Sequence, residues 1–360
     1  MKRTSITPLR RIAVVTGLVT AMFGLSACAD SAGGDADGEI TSITLRLADG
    51  YAASHYYSVA GAQFFIDKVA ELTDGAVTIE YYPGGQLGKP TDMIDVLDEG
   101  VADIAFTAPG YLPSQMPLSG AFSLPRVLPD GDVGTLAYAE VIGDSGSVVY
   151  QRDYADNGLV PLFAGIAADY QVMSATSGLE TPEALHGLSA RSAGGTIDLI
   201  VKALGAEPVP ITTGDIYGAL EGGMVDANFQ GPPGAVGGSL HEVVKAITTN
   251  GNFTAFVSAW TMKQDAFDAL PVDVQSALRE AGAATSQNLA AVANGETAKA
   301  MAAFEEAGVT LVTYSDAQLE ELDSELSVVT EQWLAGLDAG LAGEDAVAEM
   351  KDAVAAAAES

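Results

Sequence analysis

The sequence predicts an α/β protein made of two units, each with its own sheet, followed by a helical tail. Three observations predict it. Strand and helix periods alternate over residues 43–106. They alternate again over 189–229. An Ala-rich helical stretch over 265–307 then leads into further helices. The length of 360 residues fits two to three units at roughly 150 residues each. With 48% apolar and 18% charged residues, the chain can build a substantial core.

The first unit opens with Ile43, Leu45 and Leu47 alternating with polar residues, a strand. Over 57–72, Ala62, Phe65, Val69 and Leu72 repeat at helical spacing, and Thr73-Asp74-Gly75 stops the helix. Val77, Ile79 and Tyr81 mark a second strand, and PGGQLG at 83–88 a turn. Met93, Ile94 and Leu97 mark a helix closed by Gly100. VADIAF at 101–106 is a buried strand. The β-α-β-α-β order argues a mainly parallel sheet.

In the second unit, Ile197, Ile200, Val201 and Leu204 fall on one helix face, with Gly205 as its stop. PVPI at 208–211 is extended, 216–220 is helical, and GGMVDANF at 222–229 turns into a strand. The stretch 265–307 is helical, with Pro271 near a helix start. Residues 309–313 form a strand, 319–341 an amphipathic helix and 345–358 another. There is no exact internal repeat.

Charge and cysteine usage narrow the function. Acidic residues number 48 and basic residues 16, a formal net charge of -32. Residues 1–27 carry Lys2, Arg3, Arg10 and Arg11 and no acids, so their removal would leave -36. Such a surface repels phosphate backbones and anionic lipid, which argues against a nucleic-acid partner. One cysteine, Cys28, excludes an internal disulfide and multi-cysteine metal sites. His55, His186 and His241 lie at no metal-ligand spacing. No cofactor or metal is expected.

The N-terminus has the order of a secretory signal: basic residues, an apolar run over 12–25, then Leu25-Ser26-Ala27-Cys28. The run is short for a bilayer span, which needs about 20 residues. LSAC resembles a bacterial lipobox, which implies cleavage before Cys28 and lipidation of its thiol. Residues 29–39, small and acidic, read as a flexible tether. The expected location is outside the cytoplasm, lipid-anchored to the cell membrane.

Two stretches carry a family resemblance. One is YYPGGQLGKPTDMIDVLDEGVADIAF at 81–106. The other is LHGLSARSAGGTIDLIVKALGAEPVPITTGDIYGALEGGMVDANFQ at 185–230. Together, in order and at family-like spacing, they resemble the solute-binding proteins of tripartite ATP-independent periplasmic (TRAP) transporters. The resemblance covers most of 43–314. It implies a two-lobe, periplasmic-binding-protein-like (Venus flytrap) fold with a long helix spanning both lobes. Lobe 1 would comprise 41–165 plus 255–290, and lobe 2 would comprise 166–254 plus 291–360. Hinges are expected near 165–168 and 250–255. It further implies a monomeric protein, not an enzyme, that takes a small organic acid into the cleft. The loaded protein would deliver that acid to a membrane permease driven by a sodium gradient.

The chain beyond residue 27 has five arginines, Arg46, Arg126, Arg152, Arg191 and Arg279. Arg191 stands at an expected strand end before a helix, where α/β sheets place ligand sites. Its planar fork can grip a carboxylate bidentately. The arginine of the resembling motif binds the ligand carboxylate. Gln171 stands where many relatives that bind sialic acid or dicarboxylates have a second arginine, which leans toward a monocarboxylate. Gln230 stands where the family often has a ligand-contacting asparagine. Asp215 and Tyr217 fill the E-x-Y positions. Tyr217 is expected to line the cleft, and Asp215 either to cap the following helix or to touch ligand. His55 and Tyr111 follow strand ends in the first unit. Tyr170, Phe229, Phe253 and Phe256 are candidate aromatic walls.

Two rival readings remain at this point. A binding protein of an ATP-driven importer or a sensor would use the same flytrap physics. An extracellular lipoprotein hydrolase is the other, though no G-x-S-x-G is present.

Overall fold

The computed structural model describes residues 42–167, 169–176 and 178–359. Cys28, the leader and the tether lie outside the described residues. Among the described residues, no helix is long and apolar enough to cross a membrane.

Eleven strands form two sheets. They are β1 (Ile43–Ala48), β2 (Val77–Tyr82), β3 (Ile104–Thr107), β4 (Leu159–Ala167), β5 (Gln171–Ser174), β6 (Ser189–Ser192), β7 (Glu207–Pro210), β8 (Ala227–Gln230), β9 (Ala246–Thr248), β10 (Phe256–Lys263) and β11 (Thr310–Val312). The first sheet runs β2-β1-β3-β10-β4 and the second β11-β9-β5-β8-β6-β7. Each sheet is parallel except for one strand. β10 runs against β3 and β4, and β5 runs against β8 and β9. These are the strands by which the chain enters a sheet directly from the other one. Without a crossover helix, the chain must arrive running the opposite way.

The helices are α1 (Phe64–Leu72), α2 (Met93–Asp98), α3 (Gly131–Gly143), α4 (Thr196–Ala203), α5 (Ile216–Glu221), α6 (Pro232–Gly237), α7 (Gln264–Asp268), α8 (Val272–Glu306), α9 (Asp316–Leu326), α10 (Val329–Gly336) and α11 (Gly343–Ala358). α1 buries Phe65 and Val69. It ends where Asp74 and Gly75 turn to φ 49° and 78°, with the Gly75 amide donating to the Ala70 carbonyl at 2.8 Å. The residues before it, Ser58–Gln63, wind as a π-helix rather than continuing α1 backwards. In PGGQLG, Gly84 and Gly85 take φ 66° and 73°. Their amides donate to the Tyr51 and Asp49 carbonyls at 2.7 and 2.8 Å, pinning the turn beside the end of β1.

α8 packs against α1, α3 and β4 on the first-sheet side, and against α6 and β11 on the second. It is the lobe-spanning helix. The chain crosses between sheets between β4 and β5, at 249–255 and along α8. Two features differ from the sequence reading. The helix expected over 319–341 is two, α9 and α10. They part where the Ser327 hydroxyl bonds the Ser324 carbonyl at 2.7 Å and so competes with the helical ladder. The C-terminal tail also divides. α9 and α10 pack on α4, but α11 returns to α3 and Leu118–Ser123 on the first-sheet side. There the Glu349 carboxylate accepts from the Ser147 hydroxyl and the Val148 amide, each at 2.8 Å.

Candidate functional site

The parallel strands point their C-terminal ends at one cleft between the sheets. β10, running the other way, brings its first residue, Phe256, to the same edge, opposite Ala167. Behind this edge lies a narrow cavity of about 20 Å³, room for little more than a water molecule, so a ligand enters only when the walls part. Beside it, loops from both sheets meet. The Gly110 segment after β3 meets the Ala193-Gly194-Gly195 segment after β6, and a Cβ on Gly194 would come within 2.8 Å of the Gly110 carbonyl oxygen. Only glycine permits so close a backbone approach.

Arg191 lies on β6 and is 1% exposed. Its Nε donates to the Ile211 carbonyl at 2.8 Å and Nη1 to the Phe229 carbonyl at 3.0 Å. Nη2 donates to the Tyr111 hydroxyl at 3.2 Å. That hydroxyl also bonds Thr213 Oγ1 at 3.0 Å. A guanidinium has five N–H donors. The Tyr170 hydroxyl also hydrogen-bonds Arg191, and at least one terminal N–H remains for a ligand carboxylate. Arg46 and Arg126 have carboxylate partners, Asp103 at 3.2 Å and Asp323 at 2.5 Å. Arg152 bonds the Gln115 carbonyl at the half-buried surface, and Arg279 lies over the Phe267 ring. Of the five, Arg191 alone is buried. Among the described residues, no acidic side chain pairs with it.

An aromatic wall faces this charge. The His55 ring stacks on Tyr51 at 4.1 Å between centroids and on Tyr56 at 5.2 Å, and Tyr56 stacks on Tyr57 at 4.2 Å. Phe256 lies 5.1 Å from Tyr111 and 6.4 Å from Tyr170. Burial pushes the His55 pKa down to about 3, so the ring is neutral. Its Nδ1 accepts the Tyr57 amide at 3.2 Å, which assigns the proton to Nε2. Burial raises the Tyr170 hydroxyl above its ordinary value, and the nearby Arg191 charge pulls the other way. Below the wall, the fully buried Asp49 accepts from the Tyr51 amide, the Tyr81 hydroxyl and Trp260 Nε1 at 2.9, 3.0 and 3.3 Å. Burial raises its pKa to about 6. These contacts make Asp49 the support of the wall.

The expected site residues divide. Arg191, Gln230, His55, Tyr170 and Phe256 line the cavity, and Tyr111 reaches it through Arg191. Gln171 does not line it. Its amide donates to Asn252 at 2.7 Å, and its oxygen accepts from Thr248 at 2.7 Å and the Gly251 amide at 3.0 Å, which ties down the 249–255 crossing. Phe229 and Phe253 pack edge to face in the core at 5.4 Å. Tyr217 packs on the smaller core cluster around Ile216 and Leu220. Asp215 is exposed, makes no side-chain cap to α5, and accepts from Thr212 at 3.2 Å. Tyr51, Tyr56, Tyr57, Thr213, Asp169, Ala293 and Thr297 line the cavity without having been singled out. YAASHYY directly after β1 carried the missing signal, since aromatic residues beyond a strand's C-terminal end sit at the ligand edge.

Two α/β lobes, a spanning helix and a polar–aromatic cavity between them define a binding protein of the two-lobe periplasmic type. The chain belongs to bacterial extracellular solute-binding protein family 7 (DctP), whose model matches residues 50–336. It is 27% identical over 304 residues to the C4-dicarboxylate-binding periplasmic protein DctP of Rhodobacter capsulatus, covering 82% of this chain and 86% of that one. It is 26% identical over 285 residues to the ectoine-binding periplasmic protein TeaA of Halomonas elongata, covering 76% and 80%. Its fold matches the crystal structure of a TRAP solute-binding protein from Rhodoferax ferrireducens in complex with copurified benzoate. The TM-score is 0.81 at 21% identity, over 88% of this chain and 99% of that one.

Proposed function

We propose that the protein captures a small organic acid bearing one carboxylate and hands it to a TRAP-type permease. The observation that carries this reading is Arg191: buried at the cavity, without an acidic partner, and held only by neutral carbonyls and tyrosine hydroxyls. A buried cation without a counter-charge is costly. A ligand carboxylate supplies the partner, and closing the lobes strips water from the pair and strengthens it. Gln171, engaged with the 249–255 crossing, offers no second cationic anchor, which favours one carboxylate over two. The lobes close by bending between β4 and β5 and at 249–255, through the ligand's greater affinity for the closed form. Family membership favours a TRAP permease over an ATP-driven importer. Cys28, lipidated after removal of 1–27, would hold a monomeric chain at the outer face of the cell membrane.

The test is calorimetric titration of residues 29–360, unfolded and refolded to remove any carried ligand, against a panel of monocarboxylates and dicarboxylates. The expected result is saturable binding of a monocarboxylate that vanishes in Arg191→Ala. Binding that persists in this variant, or is confined to neutral sugars, would overturn the reading.

A further inference from the structure

Arg191 accounts for the positive charge in the cavity wall, and the same wall also carries an acidic side chain. Asp169 lines the cavity from the crossing between β4 and β5, with Tyr56, Ala293 and Thr297 beside it. Among the described residues, its carboxylate has no hydrogen-bond or ion-pair partner. Arg126 flanks the far side of the same crossing, but its guanidinium is taken by Asp323 at 2.5 Å and the Gly251 carbonyl at 2.7 Å. Burial chiefly, and then the like charges of Asp130 and Asp132 at the start of α3, raise its pKa to about 6. Arg191 does not act on it, so the two cavity charges do not pair with each other. Residue 169 also holds φ 57°, a conformation that non-glycine residues rarely adopt and that aspartate and asparagine accept best.

A simple monoanion leaves this arrangement unbalanced. Its carboxylate satisfies Arg191, but closure then seals Asp169 into the same space with nothing opposite it. We propose that the ligand is a zwitterion, with its carboxylate on Arg191 and a cationic nitrogen group directed to Asp169 along the His55–Tyr56 ring stack. Ammonium, amidinium and quaternary ammonium groups all fit that chemistry, because the ring faces attract a cation as Asp169 does. Asp169 lies in a crossing segment, so the same contact ties the cationic end of the ligand to the bend between the lobes. This inference rests on the carboxylate reading of Arg191 and adds the charge at the other end.

Matched pairs that differ in a single charge test it: glycine betaine against tert-butylacetate, γ-aminobutyrate against valerate, and para-aminomethylbenzoate against para-ethylbenzoate. Each is titrated into the refolded 29–360 chain and into Asp169→Asn, Asp169→Gly and Arg191→Ala. Asparagine and glycine both accept a positive φ, so either variant can fold, and circular dichroism checks that it has. The expected result is a zwitterion bound at least about tenfold tighter than its monoanionic isostere, with the preference gone in both Asp169 variants. Tighter binding of the isosteres, lost in Arg191→Ala, overturns the zwitterion and leaves the carboxylate reading standing. A zwitterion preference that survives both Asp169 variants overturns the role of Asp169. Binding of no carboxylate from either set overturns this proposal together with the reading beneath it.

Discussion

The contact between α8 and β4 can be tested by adding a single carbon. Gly282 is buried on α8, and a Cβ built there would stand 1.9 Å from the Leu162 carbonyl oxygen and 2.8 Å from its carbon. Ordinary carbon–oxygen contacts lie at roughly 3.3 Å or more, so the helix or the strand must yield by about 1.4 Å. Neither atom belongs to a side chain that can rotate away. Overpacking of this kind costs about 3 kcal/mol, the upper end of its usual range, because backbone must move. Replacing a helical glycine with alanine returns about 1 kcal/mol of helix propensity. Gly282→Ala should therefore lose about 2 kcal/mol, or roughly 4 °C in Tm for a chain of this size. Gly295 lies on the exposed side of the same helix, with nothing within 4 Å of its Cβ position. There the propensity gain stands alone, and Gly295→Ala should raise Tm by about 2 °C. Both can be read by urea unfolding, with the emission of the buried Trp260 as probe. A Gly282→Ala protein as stable as wild type, or more so, would refute the packing of α8 on β4. Because Ala293 and Thr297 of α8 line the cavity, the same variant should also weaken ligand binding.

Three further outcomes are expected. Arg191→Lys keeps the charge but cannot hold the Ile211 and Phe229 carbonyls while presenting a fork. Ligand affinity by calorimetry should fall by about 3 kcal/mol, roughly a hundredfold. Tyr111→Phe removes the hydroxyl between Arg191 and Thr213 and should weaken binding by about 1 kcal/mol in the same assay, without abolishing it. The third outcome concerns pH. His55 stays neutral in the folded protein down to about pH 3, whereas its ordinary pKa is 6.5. Its contribution to stability is whole above 6.5 and is lost as pH falls toward 3, because the unfolded chain takes up the proton first. His55→Phe should flatten that acid-side fall in the urea midpoint. Asp49 and Asp153, both raised to about 6, act with the opposite sign but are common to both proteins, so the difference isolates His55.

The elements read correctly from sequence are those whose two faces see different surroundings. β1 and α4 each have a buried side and a wetter side, and their periods show it. β4 and β10 are buried almost throughout, so LVPLFAGIA and FVSAWTMK carry no alternation that separates strand from helix. β10 is also the strand that makes the first sheet mixed rather than parallel. Arg191 was legible because a motif fixed its position at a strand end. Motif positions say less about what a side chain touches. Gln171 and Gln230 are register partners on β5 and β8, yet one ties down a crossing and the other lines the cavity. Phe229, one residue from Gln230, packs into the core, as strand alternation requires. Asp169 carries no sequence signal of its own, since its place depends on a left-handed backbone between two strands that no local pattern announces.

The placement of β10 has a consequence for how the chain reaches this form. Thr107 of β3 bonds Ala259 of β10 across 152 residues, and β10 stands between β3 and β4. A nascent chain that has made β1 to β4 therefore holds an incomplete first sheet with two unpaired inner edges. It closes only after the second sheet's strands β5 to β9 have been made. Neither half can mature ahead of the other, so the two lobes are one unit in folding. Such long-range pairing slows folding. Until residue 263 has emerged, the open edges need shielding from other chains.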